Sequence, residues 1–417
     1  MNQQRVIDIV NKQNKWRREE CLNLIASESL MSPLAASLYS SDFEGRYNEH
    51  TGKDLHYEGT KFSYEIEEIC NQLFKDRFEA PYADVRPISG AIANLILYNA
   101  LMRPGDILVS LGIPNGAHVS HTRWGSAGIR GLKNVDMLFD PVNMNINIER
   151  TVDIIKASNP KLVMFGASMF LFPEPIKEIR EQVNPDIKFV YDAAHVFGLI
   201  YNRVFQEPFK EGIDFITSST HKTFQGPQGG IIIGSPEQSE KDWKKIDLSV
   251  FPGTLSNTHI HRFPSLAITA LEMNEFGEKY ASQVVKNAKT FGKALYDREF
   301  KVLCPHKDFT ESHQIVVDVK NYGGGQKVAK LMAQCNVICN KIALPNDTSN
   351  DATHNPSGIR LGAQELTRIG MKENEMDTVA EFYKRGIIDR EPVEKIKANV
   401  IAYKAQYKDI HYCFHWS

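Results

Sequence analysis

Five short apolar runs set the main limit on how this chain can fold: Ile107–Leu111, Leu162–Phe165, Ile187–Tyr191, Ile213–Ile216 and Ile231–Ile233. None shows the strict alternation of a half-solvated strand, so each reads as a strand buried on both faces. From about residue 65, helical patterns such as Ala91–Met102 alternate with such runs. Strands alternating with helices predict an α/β fold with a mainly parallel sheet between helices. With 417 residues the chain is too long for a single core, so two domains are expected.

The expected boundaries are an N-terminal arm over 1–26, a large domain over 27–280 and a small C-terminal α+β domain over 281–417. Residues 2–20 read as a polar helix with Val6, Ile9 and Val10 on one face, an arm for a second subunit or a loosely held surface helix. A long helical pattern near Phe263–Lys293 leaves the large domain. A strand at Gln314–Val319 and a helix at Lys327–Cys335 belong to the small one. Gly323-Gly324-Gly325 fits no phosphate-loop spacing and reads as a turn. From Glu391 one more helix is expected, ending in an aromatic tail from His411 to Trp416 that reads as packed, not metal-binding.

Basic and acidic residues number 49 and 51, a net charge of −2, so nothing draws the chain to nucleic acid or an anionic membrane. The sequence offers no signal peptide and no apolar run long enough to span a bilayer. Six scattered cysteines lack a disulfide framework, which suits a cytoplasmic protein. Cys335 and Cys339 lie four apart without the second pair a zinc site needs, so no metal is expected.

The chemistry centres on the polar turn Thr217–Gly230, which presents Lys222 beside His221 and Thr223 between two of the strands. A partly desolvated lysine with a cationic or dipolar neighbour can lose its proton and form a Schiff base, although most loop lysines do neither. Five further features sit at strand C-termini and helix N-termini, where such folds bind ligands. Ser89-Gly90-Ala91 opens a helix and could cradle a phosphate, or serve only as an N-cap. Asp192, followed by Ala193-Ala194-His195, ends a strand where a carboxylate could keep a ring nitrogen protonated. Ser168 follows the strand Leu162–Phe165, and His118 lies where small neighbours let an imidazole stack on a flat ring. Arg360, between small residues, could hold a carboxylate in a bidentate fork.

Phosphate cradle, carboxylate, imine-forming lysine and carboxylate-binding arginine, in that order, describe a pyridoxal-phosphate site acting on an amino acid. The stretches NLIASES, RYNEHTGK, ISGAIAN, GAHVSH, YDAAHVFGL, STHKTFQGP, VFPGT and NPSGIRLG resemble the serine hydroxymethyltransferase family over about residues 20–375. That resemblance implies the aspartate-aminotransferase-like architecture, fold type I, with a seven-stranded sheet. It implies pyridoxal 5′-phosphate on Lys222, Asp192 on the pyridinium nitrogen, and Ser89, Gly90 and Ala91 on the phosphate. His118 would stack on the ring, with His195, Ser168 and His221 at the cofactor's edge. Arg360 and Ser27 would hold the substrate carboxylate. Tyr47, Glu49 and Tyr57 would reach a neighbouring subunit's site in a homodimer, Glu49 handling the proton of the substrate's β-hydroxyl.

The sequence also departs from the family. The glycine-rich turn after Phe251-Pro252-Gly253 reads Thr254–His259, so Ser256 or Asn257 would supply its phosphate contacts. Gln228 replaces an arginine. His56, Ala117, Ile342 and the segment Thr122–Arg130 differ around the family's folate pocket. Losing one buried polar partner costs about 1–3 kcal/mol, so several such changes would weaken tetrahydrofolate binding. The first expectation is an enzyme that makes or breaks the Cα–Cβ bond of β-hydroxy amino acids, joining glycine to an aldehyde. Beside it stand a folate-independent threonine aldolase or transaldolase, with Arg123, Trp124 and Arg130 shaping an acceptor pocket or forming only a surface loop. Further alternatives are a racemase or 2-methylserine/alanine variant and a catalytically silent scaffold.

Overall fold

The computed structural model describes residues 2–415, which fall into two compact units. One runs over Ser29–Ala281 and takes in the end of the chain from Tyr412; the other joins the chain up to Glu28 with Ser282–His411.

The first unit is built on a seven-stranded sheet. Its strands are β1 (Tyr82–Asp84), β2 (Ile107–Ser110), β3 (Lys133–Asp136), β4 (Leu162–Phe165), β5 (Lys188–Asp192), β6 (Phe215–Ser219) and β7 (Gly230–Gly234). They lie in the order β1-β7-β6-β5-β4-β2-β3. Only β7 opposes its neighbours; every other pairing is parallel. Four of the five apolar runs differ from their observed strands by one to three residues at an end; Leu162–Phe165 matches at both. The run at Ile213 starts late because the Asp214 carboxylate takes the Phe189 amide at 2.8 Å and the Lys188 ammonium at 3.1 Å. That leaves Phe215 as the first paired residue.

Helix α1 (Gly90–Leu101) lies on this sheet through Ala93, Ile96 and Leu97, packed with Leu108, Leu162, Val190, Phe215 and Ile232. All of these are fully buried, each large aliphatic or aromatic side chain contributing about 1.5–3 kcal/mol. The C-terminal tail packs as an aromatic segment, Tyr412 against Tyr280 and Phe414 against Phe276, both pairs at 5.5 Å. Trp416, part of the same expectation, lies outside the described residues.

The second unit carries four antiparallel strands, β8 (Lys301–Val302), β9 (Gln314–Asp318), β10 (Asn340–Ile342) and β11 (Gly358–Gly362), in the order β8-β9-β11-β10. Gly323 and Gly324 adopt φ of +99° and +87°, a turn into the helix Gly325–Gln334. The N-terminal helix Gln3–Asn14 is capped by Asn2 and exposes Val6, Ile9 and Val10. It continues as a π-helical stretch, Lys15–Glu20. Leu22 and Asn23 then pair in parallel with Val337 and Ile338, and Trp16 Nε1 donates to Asn336 Oδ1 at 3.1 Å.

Beneath that pairing, Asn23 Nδ2 donates to the buried Glu365 carboxylate at 2.7 Å. Burial pushes this carboxyl up to about 7, against the Asn23 hydrogen bond and the Arg17 charge that favour the anion. A carboxyl raised in the folded state binds a proton on folding between its unfolded value and about 7. Its unfavourable contribution therefore grows through that window and is full above it. Glu365→Gln keeps an acceptor for Asn23 and removes the ionisation. We expect it to stabilise the protein by about 2–3 kcal/mol at pH 8 and by almost nothing at pH 4, read from urea midpoints at both values.

Among the described residues no helix is long and apolar enough to cross a membrane, and no group of three or more His, Cys, Asp or Glu is placed to hold a metal ion.

Candidate active site

Parallel pairing brings the C-terminal ends of β4, β5 and β6 out along one edge of the sheet, where ligands bind in such folds. The N-terminus of α1 meets the same edge, since a Cβ on Gly90 would lie 3.1 Å from the Ser219 amide. Together these ends enclose a cavity of about 230 Å³. Of the residues expected from sequence, Ser89, Gly90, Ala91, His118, Asp192, His195, His221 and Lys222 line it. Ser168 does not; Ala167 takes that wall, and the Ser168 amide donates to Gly116 O at 2.7 Å.

Asp192 is the most constrained group. Its Oδ2 accepts from Asn94 Nδ2 at 2.8 Å and from His121 Nε2 at 2.9 Å, and its Oδ1 from the Ala194 amide at 3.1 Å. Burial works against the anion, but the His121 hydrogen bond and charge, with His118 and Asn94, hold the carboxyl well below the usual carboxylate range. Thr217 Oγ1 donates to Asn94 Oδ1 at 2.6 Å, fixing that amide in turn. Asn94 and His121 escaped the sequence reading. The available signal was spacing: Asn94 is one helical turn beyond Gly90, and His121 closes the GAHVSH stretch.

The lysine turn is rigid. Thr220 Oγ1 donates to Pro227 O at 2.6 Å and the Gly226 amide to Thr220 O at 2.8 Å. Thr223 Oγ1 donates to His195 O at 2.9 Å and accepts from the Gly198 amide at 3.0 Å. Burial, helped by the Lys222 charge, pushes His221 down to about 4, so its ring is neutral at pH 7. Ser219 Oγ and His221 Nδ1 are buried without a hydrogen-bond partner, two polar atoms at the same cavity that a bound ligand can satisfy. Beside the turn, where Gln228 stands for the family's arginine, a buried guanidinium comes from Arg262. Its Nη2 donates to Val85 O and, at 2.9 Å, to Pro87 O, bracing the approach to Ser89.

Gly166, just past β4, has φ +100°, and a Cβ there would sit 2.1 Å from Asp192 O. Gly166→Ala therefore strains the backbone and displaces the strand end that carries Asp192. The expected loss is about 2–4 kcal/mol of stability, measured by denaturant unfolding.

A second cluster forms on the segment 46–58. Ser256 Oγ donates to Glu49 Oε1 at 2.8 Å, and Asn257 accepts from the Asn48 amide at 3.0 Å while donating to Arg46 O at 2.9 Å. Tyr47 and Tyr57 face each other at 5.1 Å and are 49% and 46% exposed. Underneath, the buried Glu67 carboxylate accepts from Asn48 Nδ2 at 2.7 Å and His50 Nε2 at 2.9 Å. Sequence reading gave no hint of this support.

Among the departures, the His56 ring packs against Phe251 at 5.4 Å. Trp124 is 70% exposed with the Arg123 guanidinium 4.5 Å over its ring, and Arg130 Nη2 donates to Met102 O at 2.6 Å. Within this chain the segment carries the short helix Ser126–Ile129, whose Ser126 and Ala127 are buried, and none of the three lines the cavity. Arg360 and Ser27 belong to the second unit. There Arg360 is buried on β11, Nη2 lies 3.5 Å from Asn340 Oδ1, and burial pushes the guanidinium down to about 10, still cationic at pH 7.

Comparison with known proteins gives a consistent answer. A family model described as serine hydroxymethyltransferase matches residues 1–383. A serine hydroxymethyltransferase of Methanocaldococcus jannaschii is 46% identical over 413 residues, 98% of this chain and 95% of that protein. One of Saccharolobus islandicus is 44% identical over 412 residues, 99% of this chain and 94% of that protein. Among solved structures, the L-threonine transaldolase of Pseudomonas fluorescens in its internal aldimine state superposes with a TM-score of 0.90. It is 25% identical, and the match covers 99% of this chain and 94% of that one.

Proposed function

The chain belongs to the serine hydroxymethyltransferase family, and from that premise we propose how its own residues carry out the family's reaction. The protein is a pyridoxal-phosphate-dependent enzyme that makes or breaks the Cα–Cβ bond of β-hydroxy amino acids. When bound, the cofactor supplies a ring that draws electron density from the substrate's α-carbon. The cavity fits that group: Ser219 Oγ and His221 Nδ1 are buried polar atoms needing partners, and the first-turn amides of α1 have no intrahelical carbonyls. In this reading Lys222 supplies the amine that holds the cofactor aldehyde. Asp192, kept anionic by His121 and Asn94, holds a proton on the ring nitrogen. Ser89, Gly90 and Ala91 take the phosphate, while His118 and His195 flank the ring.

Arg360 and Ser27 take the substrate carboxylate in the same proposal. Glu49, with one oxygen already fixed by Ser256, receives the proton of the β-hydroxyl and returns it in the reverse direction. The half-exposed pair Tyr47 and Tyr57 on the same segment supports a homodimer in which Glu49 serves the neighbouring subunit's cavity. Mixing inactive Lys222→Ala and Glu49→Gln proteins under conditions that exchange subunits is then expected to restore activity. Two variants that remain inactive together would refute shared sites. A cytoplasmic location belongs to this proposal and is supported by six cysteines that are all thiols.

The observation that carries the reading is Lys222, Asp192 and the start of α1 around one cavity. Its test is serine cleavage to glycine, assayed with and without tetrahydrofolate. Serine turnover that depends on folate supports the hydroxymethyltransferase. A second reading is favoured by the changed folate-pocket positions His56, Ala117 and Ile342 and by the likeness to a threonine transaldolase. It expects folate-independent cleavage of threonine to acetaldehyde, with serine turned over slowly.

A further inference from the structure

A second cavity of the first unit lies elsewhere, and its volume of about 410 Å³ is in the range of small-molecule sites. It shares no lining residue with the cofactor cavity. Phe78, Tyr201 and Phe209 supply aromatic walls, with Phe78 5.9 Å from Tyr201 and 6.1 Å from Phe209.

The charges around it do not cancel uniformly. Arg203 is paired with Glu79 at 2.7 Å and Lys210 with Glu207 at 2.6 Å. Asp214 is paired with Lys188 at 3.1 Å, and Glu237 is exposed. Two guanidinium groups remain without a carboxylate. Arg77 donates to Tyr201 O and lies 5.2 Å from that ring's centre. Arg180 donates to Ile187 O at 2.7 Å and Pro185 O at 2.8 Å and rests 4.6 Å over Phe189. The Arg180 stem passes over Gly212, where a Cβ would be 2.8 Å from its Cγ and φ is +95°. Both cations are thus fixed by carbonyls and ring faces before any ligand arrives, a preorganised setting for a planar anion.

One wall also connects to the active site. Gln206 lines this cavity and is buried, donating to Glu174 O at 2.7 Å and to Glu211 at 2.6 Å while accepting from Tyr191 OH at 2.9 Å. Glu174 Oε2 in turn accepts the Gly166 amide at 2.7 Å, next to Ala167 in the cofactor cavity.

We propose that the Arg77–Arg180 cavity is an effector site for an aromatic carboxylate, whose occupancy reaches the cofactor segment through Gln206, Glu174 and Gly166. The flat body packs between the aromatic walls, and the carboxylate meets Arg77 and Arg180.

The test is calorimetric titration of 2-naphthoate into holoenzyme, whose phosphate cradle is already filled. Saturable binding of one equivalent per chain is expected. It should weaken about 10- to 100-fold in Arg77→Gln and for the uncharged methyl ester. Lys210→Glu, at a position whose side chain is 71% exposed, should weaken it several-fold. By linkage, saturating naphthoate should change the equilibrium affinity for the cofactor about fivefold or more. Absence of saturable binding, or equal binding by acid and ester and by both variants, would overturn the site. Binding that leaves the cofactor affinity unchanged would overturn its effector role.

Discussion

Lys222→Ala is expected to give a folded protein that loses pyridoxal phosphate on dialysis and cleaves serine or threonine about 10³- to 10⁶-fold more slowly. The turn survives the change because its closing bonds belong to Thr220, Thr223, Gly226 and Pro227, not to the lysine amine. The loss therefore falls on cofactor retention and turnover and spares stability. Absorbance after dialysis, the unfolding midpoint and turnover together check it. A variant that kept both its colour and its rate would remove Lys222 from the chemistry.

Asp192→Asn is the second large effect. The substitution preserves shape but removes the charge that His121 and Asn94 are arranged around. Breaking a buried charge-assisted pair costs about 3–5 kcal/mol, or roughly 10²- to 10⁴-fold if the cost falls on the transition state. The pH dependence gives a separate signature. A carboxyl held low in the folded state stabilises it above the unfolded value near 4, and that contribution disappears as pH falls through the folded value. Unfolding midpoints measured from pH 7 downwards should fall less steeply in Asp192→Asn than in the parent protein. Equal acid limbs would mean that His121 and Asn94 do not stabilise the charge.

The central sheet was legible because its buried strands need no alternation, so a short apolar run was enough to locate each. The edges were harder. β1 (Tyr82–Asp84) and β3 (Lys133–Asp136) are short and partly polar, and only their pairing with apolar neighbours makes them strands. The cavity residues were readable from motifs that place one side chain at a strand or helix end. Their supports were not, because contacts such as His121 to Asp192, Glu67 to His50 and Arg262 to Pro87 join residues 17 to 175 positions apart. The arm at residues 2–20 read as a subunit arm or a loosely held helix because Val6, Ile9 and Val10 are too little to anchor it. What anchors it is backbone pairing at Leu22 and Asn23, which leaves no periodic trace.

The reversal of a single strand, β7, has a practical consequence for redesign. Since β6 returns directly as β7, five paired residues on each side set where the amine emerges. A crossover connection would instead have tied that position to the length of a helix. Varying the exposed Arg123 and Trp124, while keeping the buried Ser126 and Ala127, should thus leave the reactive nitrogen in place. Variation at those two positions can therefore be explored without rebuilding the catalytic frame.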